Sequence, residues 1–447
     1  MAEAGFTQSL ALYEGRTTGT SLTADQKAEK DALLALTQAE KYGITYYVLN
    51  ERFYNFVRPD INPDFFNLTR KDNQYYDAYG KEVIGADVYN YLKDNWMSLY
   101  EEKITAMFGD GTTYYESEAY GGNFAADEPA LPTKNSDGTW DYGELEQLYW
   151  QVKLYQELMA EKGVDAKAYV NLLPYESMTG QPRERYEKML EYYSENIGPL
   201  LGYISYDQYP LNESGVNATH LLNLEIVAQY CKAYDLELHT FLWAKTQEVG
   251  HRAITSANDL RFQTYSNLAF GSTNIAYYTY TNHYTIGEGS NNSLIDFRTG
   301  QRSKAYYWAK EVNNEIHAFE DAYRHFTWES VMYKDVGAYN VSLRLLEKAV
   351  ESHSRLTQFS STADILIGNF KDEDGEMGAT DGFMVVNYTD PITVAENTVD
   401  TVNLAFANAT HALVYQQGGY VVKKLENGNT TISLQPGEGA FVIPFSK

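Results

Sequence analysis

The chain has 447 residues, of which 44% are hydrophobic and 15% aromatic, and its formal net charge at pH 7 is −26. This length suits a barrel-sized domain plus a second domain, and the hydrophobic content excludes disorder for most of the chain. The acidic balance disfavours nucleic acids and anionic membrane surfaces as partners.

Other classes of protein are excluded by missing motifs. The sequence has no run of about 18 apolar residues and no signal peptide, so we expect neither a transmembrane helix nor a leader. The single cysteine, Cys231, allows no internal disulfide, and the eight histidines show no metal-ligand spacing. Dinucleotide, phosphate-loop and serine-hydrolase motifs are also missing. We therefore expect no metal and no cofactor.

Strand-like and helix-like patterns alternate from the N-terminus to about residue 325. Strands are predicted at 5–12, 44–49, 122–126, 168–173, 202–206, 238–243 and 274–280. Helices are predicted at 24–42, 145–162, 183–196, 219–234, 259–270 and 301–319. This alternation predicts a parallel sheet, and we expect a (β/α)8 TIM-type barrel over residues 1–328. Because only seven strands are predicted, the first barrel strand is either missing from this chain or overlooked.

A long insertion, residues 50–120, follows the second predicted strand, which would be the third strand of a complete barrel. It includes a predicted helix at 86–107 and begins with Asn50 and Arg52, which are candidates for holding sugar hydroxyls. Insertions at the carboxyl ends of barrel strands usually shape the substrate cleft, and we expect the same here.

The pattern changes at about residue 330. A last helix is predicted at 341–357. Short strands separated by turn signals follow at 363–370, 382–387, 399–405, 412–415, 420–425, 430–434 and 439–445. This pattern predicts an all-β sandwich over residues 329–447, with a role in structural support or glycan contact.

Two carboxylates end the apolar strand that begins at the glycine pair 121–122. At the carboxyl end of a barrel strand, Asp127 and Glu128 would point into the active-site mouth. Pro129 is expected to hold Glu128 in an extended conformation, and the glycines are expected to let the backbone pass closely. The alternative is that both carboxylates only begin a polar loop or cap a helix.

The segment Phe-Ala-Ala-Asp-Glu-Pro at 124–129 resembles the acid/base motif at the fourth strand of clan A glycoside hydrolases. Residues 205–210 and 261–280 resemble the sixth-strand end and the last helix and strand of bacterial family 42 β-galactosidase-like barrels. The resemblance covers about residues 1–325 and implies a retaining glycosidase for a β-linked glycan. Glu128 would be its general acid/base.

The second carboxylate is open, because no Glu stands directly at the end of the predicted strand 238–243. Glu248 follows in the loop, Asp207 ends the strand 202–206, and Glu14 is a third candidate. A carboxyl separation of about 5–5.5 Å would indicate retention, and about 6.5–9.5 Å would indicate inversion.

Several polar and aromatic residues surround these carboxylates in the expected barrel. The candidates for contacting substrate are Asp127, Asn50, Arg52, Tyr206, Tyr209, Trp243, Tyr280 and His283. Tyr206 could tune the pKa of a neighbouring carboxylate. Trp243 is either a stacking floor for a sugar ring or an interior tryptophan.

The expected partner is an oligosaccharide or polysaccharide. A rival hypothesis is a non-catalytic glycan-binding protein that kept the barrel and lost its nucleophile. A transglycosidase would use the same residues. We expect an extracellular or cell-surface location, while the sugar, the linkage and the oligomeric state have no readable signature.

Overall fold

The computed structural model describes residues 1–10, 34–49, 69–71, 74–76, 82–83, 116–175, 182–246, 251–281, 293–296, 299–337, 341–378, 380–395 and 397–446. The chain divides into two compact units. The first unit comprises Met1–Ala2, Phe6–Leu173 and Gly180–Gly202, and the second comprises Glu3–Gly5, Pro174–Thr179 and Tyr203–Lys447.

The first unit contains a parallel four-stranded sheet with its strands in chain order. These strands are β1 (Gln8–Leu10), β2 (Tyr46–Leu49), β3 (Tyr120–Asp127) and β4 (Lys167–Asn171). Helical segments are residues 34–41, α1 (Glu144–Lys162) and α2 (Arg183–Tyr192), which continues through Tyr193–Ile197 and Gly198–Leu201. Short antiparallel pairs occur at Thr69–Lys71, Gln74–Tyr76 and Glu82–Val83, and at Thr133–Lys134 and Trp140–Asp141.

The second unit begins with a parallel three-stranded sheet, also in chain order. Its strands are β5 (Tyr203–Tyr206), β6 (Glu237–Trp243) and β7 (Ser272–Tyr278). The helices are α3 (His220–Tyr234), α4 (Ala257–Ala269) and α5 (Lys304–His317), with a short turn at Glu320–Tyr323 and a hairpin of Leu211–Asn212 with Gly215–Val216. The alternation of strands and helices therefore agrees with the sequence prediction, whereas closure of a barrel stays a prediction.

Two antiparallel sheets complete the second unit. Their strands are β8 (Phe326–Lys334), β9 (Leu356–Ser361), β10 (Ile365–Asp372), β11 (Asp381–Asn387), β12 (Asp400–Phe406), β13 (His411–Gln416), β14 (Gly419–Lys424), β15 (Asn429–Leu434) and β16 (Gly439–Phe445). One sheet has the order β8-β10-β11-β16-β13-β14 and the other β9-β12-β15. Both contribute to one hydrophobic core, to which Val385 and Leu404 belong. The predicted domain boundary at 328/329 falls inside β8.

Helix α4 lies directly against the larger of these sheets. A Cβ on Gly368 of β10 would lie 2.1 Å from the carbonyl oxygen of Ala269, and one on Gly439 of β16 would lie 2.3 Å from the ring of Tyr265. The helix begins with a capping box of Ser256 and Asp259.

The predicted helix at 341–357 is wrong. Only Val341–Arg344 is helical, and Leu356 already belongs to β9. The buried carboxylate of Glu225 in α3 accepts the backbone N–H groups of Glu347 at 2.7 Å and Lys348 at 2.9 Å. Those two donors are thereby bonded outside a helix, which ends the helical pattern early.

Candidate active site

The first group of candidate residues lies at the carboxyl end of β3. Asp127 pairs in register with Asn171 of β4, and the Asn171 side chain donates a hydrogen bond of 3.2 Å to the Asp127 carboxylate. The backbone N–H of Glu128 donates to the carbonyl of Asn171 at 2.9 Å. Asn171, which the sequence analysis did not single out, therefore fixes the position of both acidic residues.

Asp127 and Glu128 are both exposed, but neighbouring protein atoms remove part of the hydration of the Asp127 carboxylate. The resulting loss of hydration raises the pKa of Asp127, and the hydrogen bond from Asn171 opposes this rise. A carboxyl group with a raised pKa retains its proton to a higher pH than a free aspartate, which is a property of groups that donate protons in catalysis.

Glu128 has a left-handed backbone conformation with φ +46°, and the extended conformation predicted from Pro129 is wrong. The hydrogen bond to Asn171 keeps its N–H in the β3–β4 ladder, so the chain must turn away within this one residue. A non-glycine residue in this conformation costs about 1–3 kcal/mol, and such strain clusters at functional sites.

Gly122 brings β3 close to β4. Its φ is +138°, and an added Cβ would lie 1.7 Å from the carbonyl oxygen of Lys167. The pairing of β3 shifts register against β2 between Tyr47 and Val48. Only glycine fits this backbone and this approach, so Gly122 helps to set the path of the strand that carries Glu128.

The second group lies in the second unit, where β5 ends at Tyr206. Tyr206 is buried, Asp207 and Tyr209 are half-buried, and Gln208 between them is 4% exposed. Neither atom of the Gln208 amide has a hydrogen-bond partner among the residues that the structure describes. An amide in this position can both donate a hydrogen bond to and accept one from a polar group at this strand end.

An aromatic cluster, defined here as Tyr209, Trp243, His251 and Tyr278, surrounds the end of β6. The ring centroids of Trp243 lie 4.4 Å from His251 and 5.3 Å from Tyr209. Trp243 is 1% exposed, which agrees with interior packing, and its indole N–H has no partner within the described part of the chain. No spacing in the sequence predicts that His251, eight residues after Trp243, packs here.

A buried lysine completes this cluster. Lys245 is fully buried two residues after β6, and its Nζ lies 4.5 Å from the ring centroid of Tyr278 and 5.3 Å from that of Trp243. An ammonium group over aromatic faces is stabilised by their negative potential. Its signal in the sequence is a lysine two residues after an apolar strand end.

Gln263 of α4 fixes the backbone of Trp243. Its side chain accepts from the Trp243 N–H at 2.8 Å and donates to the Trp243 carbonyl at 3.0 Å. Arg261, two residues earlier, instead forms a bidentate ion pair with Glu315 of α5. The motif at 261–263 therefore positions the strand end and ties helices together.

The remaining candidates are spread along the chain. Tyr280 is half-buried after β7, and burial raises the pKa of its hydroxyl to about 12. Asn50, Arg52, Glu248 and His283 lie outside the described residues, as does Glu14. The structure thus places Asp127 and Glu128 in the first unit, and Asp207 with Tyr206, Tyr209, Trp243 and Tyr280 in the second.

Across the described ranges, no three or more His, Cys, Asp or Glu residues are grouped so that they could hold a metal ion. No helix in the described part is long and apolar enough to cross a bilayer. Cys231 is a buried free thiol, and burial raises its pKa.

Comparison with known proteins finds no matching family model and no matching curated protein. Among solved structures, the chain is similar to an alpha-amylase from Anoxybacillus, with a TM-score of 0.47, 12% identity, and coverage of 100% of this chain and 88% of that one. It is also similar to a beta-galactosidase from the psychrophilic Marinomonas ef1, with a TM-score of 0.42, 11% identity, and 72% of this chain covered. The chain spans 57% of that β-galactosidase. Likeness at this level carries no argument about activity, and membership of family 42 stays a prediction.

Proposed function

We propose that the protein is a glycoside hydrolase that cleaves a β-linked glycan, with Glu128 as general acid/base and Asp207 or Glu248 as the second carboxylate. The observation that carries the proposal is the geometry at the end of β3. There a strained left-handed turn presents Glu128 to solvent beside Asp127, whose pKa is raised. Strain and a perturbed pKa together are typical of catalytic sites.

The chemistry needs only these two kinds of group. Glu128 in its acid form protonates the leaving glycosidic oxygen, while the second carboxylate attacks the anomeric carbon and forms a glycosyl–enzyme intermediate. Glu128 then accepts a proton from the water that hydrolyses this intermediate, which retains the configuration.

Substrate recognition in this proposal uses buried polar atoms. The amide of Gln208 and the indole N–H of Trp243 lack partners among the described residues, and both lie next to strand ends of the second unit. Sugar hydroxyls both donate and accept hydrogen bonds, so they match an amide and an indole N–H. Asn50, Arg52, Tyr280 and His283 are further proposed contacts.

The test is hydrolysis of nitrophenyl glycosides and of plant, host and microbial glycans by the wild type, Glu128→Gln and Asp127→Asn. We expect turnover of at least one substrate, with a loss of about 10²–10⁴-fold for Glu128→Gln. Asp127→Asn is the matched neighbouring control and should lose less. Turnover that is unchanged in Glu128→Gln contradicts the assignment.

The competing function is non-catalytic glycan binding. It is motivated by the end of β6, where Lys245 rather than a glutamate follows the strand. Its signature is glycan affinity without turnover in both the wild type and Glu128→Gln.

A further inference from the structure

A polar cavity of about 400 Å³ lies in the second unit. Its walls come from α4, α5, the turn between β13 and β14, and the loop before β16. This volume falls within the ~300–1,000 Å³ of typical small-ligand pockets. Carboxylates, side-chain amides and one guanidinium line it, so it suits a ligand rich in hydrogen-bonding groups.

Hydrogen bonds connect the residues of the inner wall of the cavity. Arg261 donates to both oxygens of Glu315 at 3.1 and 3.0 Å, and both residues are at least nine-tenths buried. Glu438 is 2% exposed and accepts the backbone N–H of Gln435 at 2.8 Å. The side chain of Gln435 in turn accepts from Asn258 at 3.1 Å. The polar groups are therefore held in place before any ligand arrives, which lowers the entropic cost of binding.

The outer wall carries two side-chain amides with spare hydrogen-bonding capacity. Asn314 and Gln417 line the cavity and are exposed, and no hydrogen bond to their side chains is formed by the residues that the structure describes. Gln417 sits in the β13–β14 turn with φ +53°, and Gly418 follows it with φ +72°. This turn presents the Gln417 amide at the cavity beside Asn314 of α5.

An exposed aromatic ring lies on the same hairpin. Tyr420, two residues after Gly418, is 72% exposed, and its ring centroid lies 5.8 Å from that of Tyr415 on the paired strand. Tyr415 packs on Phe319 at 6.3 Å, which fixes the inner side of this pair. A tyrosine held in this way offers an apolar face and a hydroxyl, and the C–H face of a sugar ring can pack on it.

We propose that the cavity and Tyr420 form an accessory binding site for a neutral oligosaccharide. Three carboxylates and one guanidinium give the lining a net charge of 1 − 3 = −2, on a chain of net charge −26. Acidic sugars are repelled by such a surface, whereas uncharged hydroxyls bind carboxylates and amides alike. This proposal rests on the proposed function in one respect, because the ligand of the site would be the polymer that the glycosidase cleaves.

The experiment is affinity electrophoresis of the Glu128→Gln protein in gels that contain neutral β-glucan, arabinoxylan or glucomannan, with alginate as the acidic comparison. The test variants add Tyr420→Ala, or Asn314→Ala with Gln417→Ala. The matched control adds Tyr307→Ala, which removes a tyrosine that is 56% exposed on α5 instead of on the β13–β14 hairpin. Urea midpoints establish that each variant is folded.

We expect at least one neutral polymer to retard the parent and the Tyr307→Ala control. Both test variants should lose about tenfold in affinity. When the same substitutions are made in the protein that retains Glu128, the variants should cleave nitrophenyl glycosides at the wild-type rate. That result separates this site from the proposed active site. Equal retardation of test and control variants, equal binding of alginate, or no retardation of the parent would overturn the proposal.

Discussion

The buried ion pair between Arg252 and Asp390 offers a quantitative test of the second unit. The guanidinium donates to both oxygens of Asp390 at 2.8 Å and to Asp259 at 3.2 Å. The three side chains are 11%, 9% and 0% exposed. Burial disfavours the charged guanidinium, but the two carboxylates outweigh it and raise the pKa of Arg252.

Asp390→Ala leaves this buried guanidinium with one carboxylate instead of two. Removing one partner of a buried pair costs about 3–5 kcal/mol, and the lower end applies because Asp259 remains. We therefore expect Asp390→Ala to lose about 3 kcal/mol in the free energy of unfolding. The Tm of the second unit should fall by about 6 °C or more.

The measurement is urea and thermal denaturation at pH 7, with Glu3→Ala as the matched control. Glu3 forms a comparable bidentate pair with Arg302, but these side chains are 56% and 40% exposed. Solvent and salt screen an exposed pair, so Glu3→Ala should leave the Tm unchanged. If Asp390→Ala and Glu3→Ala behave alike, the burial argument is refuted.

Three further predictions concern the framework around the candidate residues. Gly122→Ala should prevent the β3–β4 ladder and yield no folded protein, which soluble expression will show. Gly138 has φ +89° and nothing within 4 Å of an added Cβ, so Gly138→Ala should fold and lose about 1 kcal/mol in the free energy of unfolding, measured from the urea midpoint. Glu225→Gln should lower the free energy of unfolding in urea by about 1–3 kcal/mol, because an amide offers one acceptor oxygen to the two backbone donors of Glu347 and Lys348. An unchanged urea midpoint would argue against a stabilising role of these two hydrogen bonds. Burial lowers the pKa of His220 to about 3, so the folded state disfavours protonation of this side chain. The free energy of unfolding is therefore unaffected above pH 6.5 and falls as the pH drops from 6.5 towards 3, by about 2 kcal/mol at pH 5. In denaturation measured across this pH range, His220→Leu should flatten the slope.

Local patterns were sufficient to predict most elements of the fold. The apolar runs that became β3 to β7 and the helices between them lie within a few residues of their predicted bounds, because alternation and helical periodicity are properties of neighbouring residues. The helix predicted at 341–357 failed because Glu225, more than 100 residues away, takes two of its backbone donors.

The candidate site was less predictable for the same reason. The rule for a residue before proline gave an extended Glu128, but the hydrogen bond from its N–H to Asn171 of a different strand imposes a left-handed turn. The packing of His251 against Trp243 depends on how the chain returns after β6. No spacing in the sequence encodes such a return.

The central claim is that Glu128 protonates the leaving group, and the most direct measurement is the dependence of the Glu128→Gln rate on the leaving group. Protonation matters most for a poor leaving group and little for an acidic phenol. We predict that Glu128→Gln loses about 10²-fold or more in rate on an oligosaccharide but far less in the glycosylation step of a dinitrophenyl glycoside. An equal loss on both substrates, or no loss on either, would contradict it.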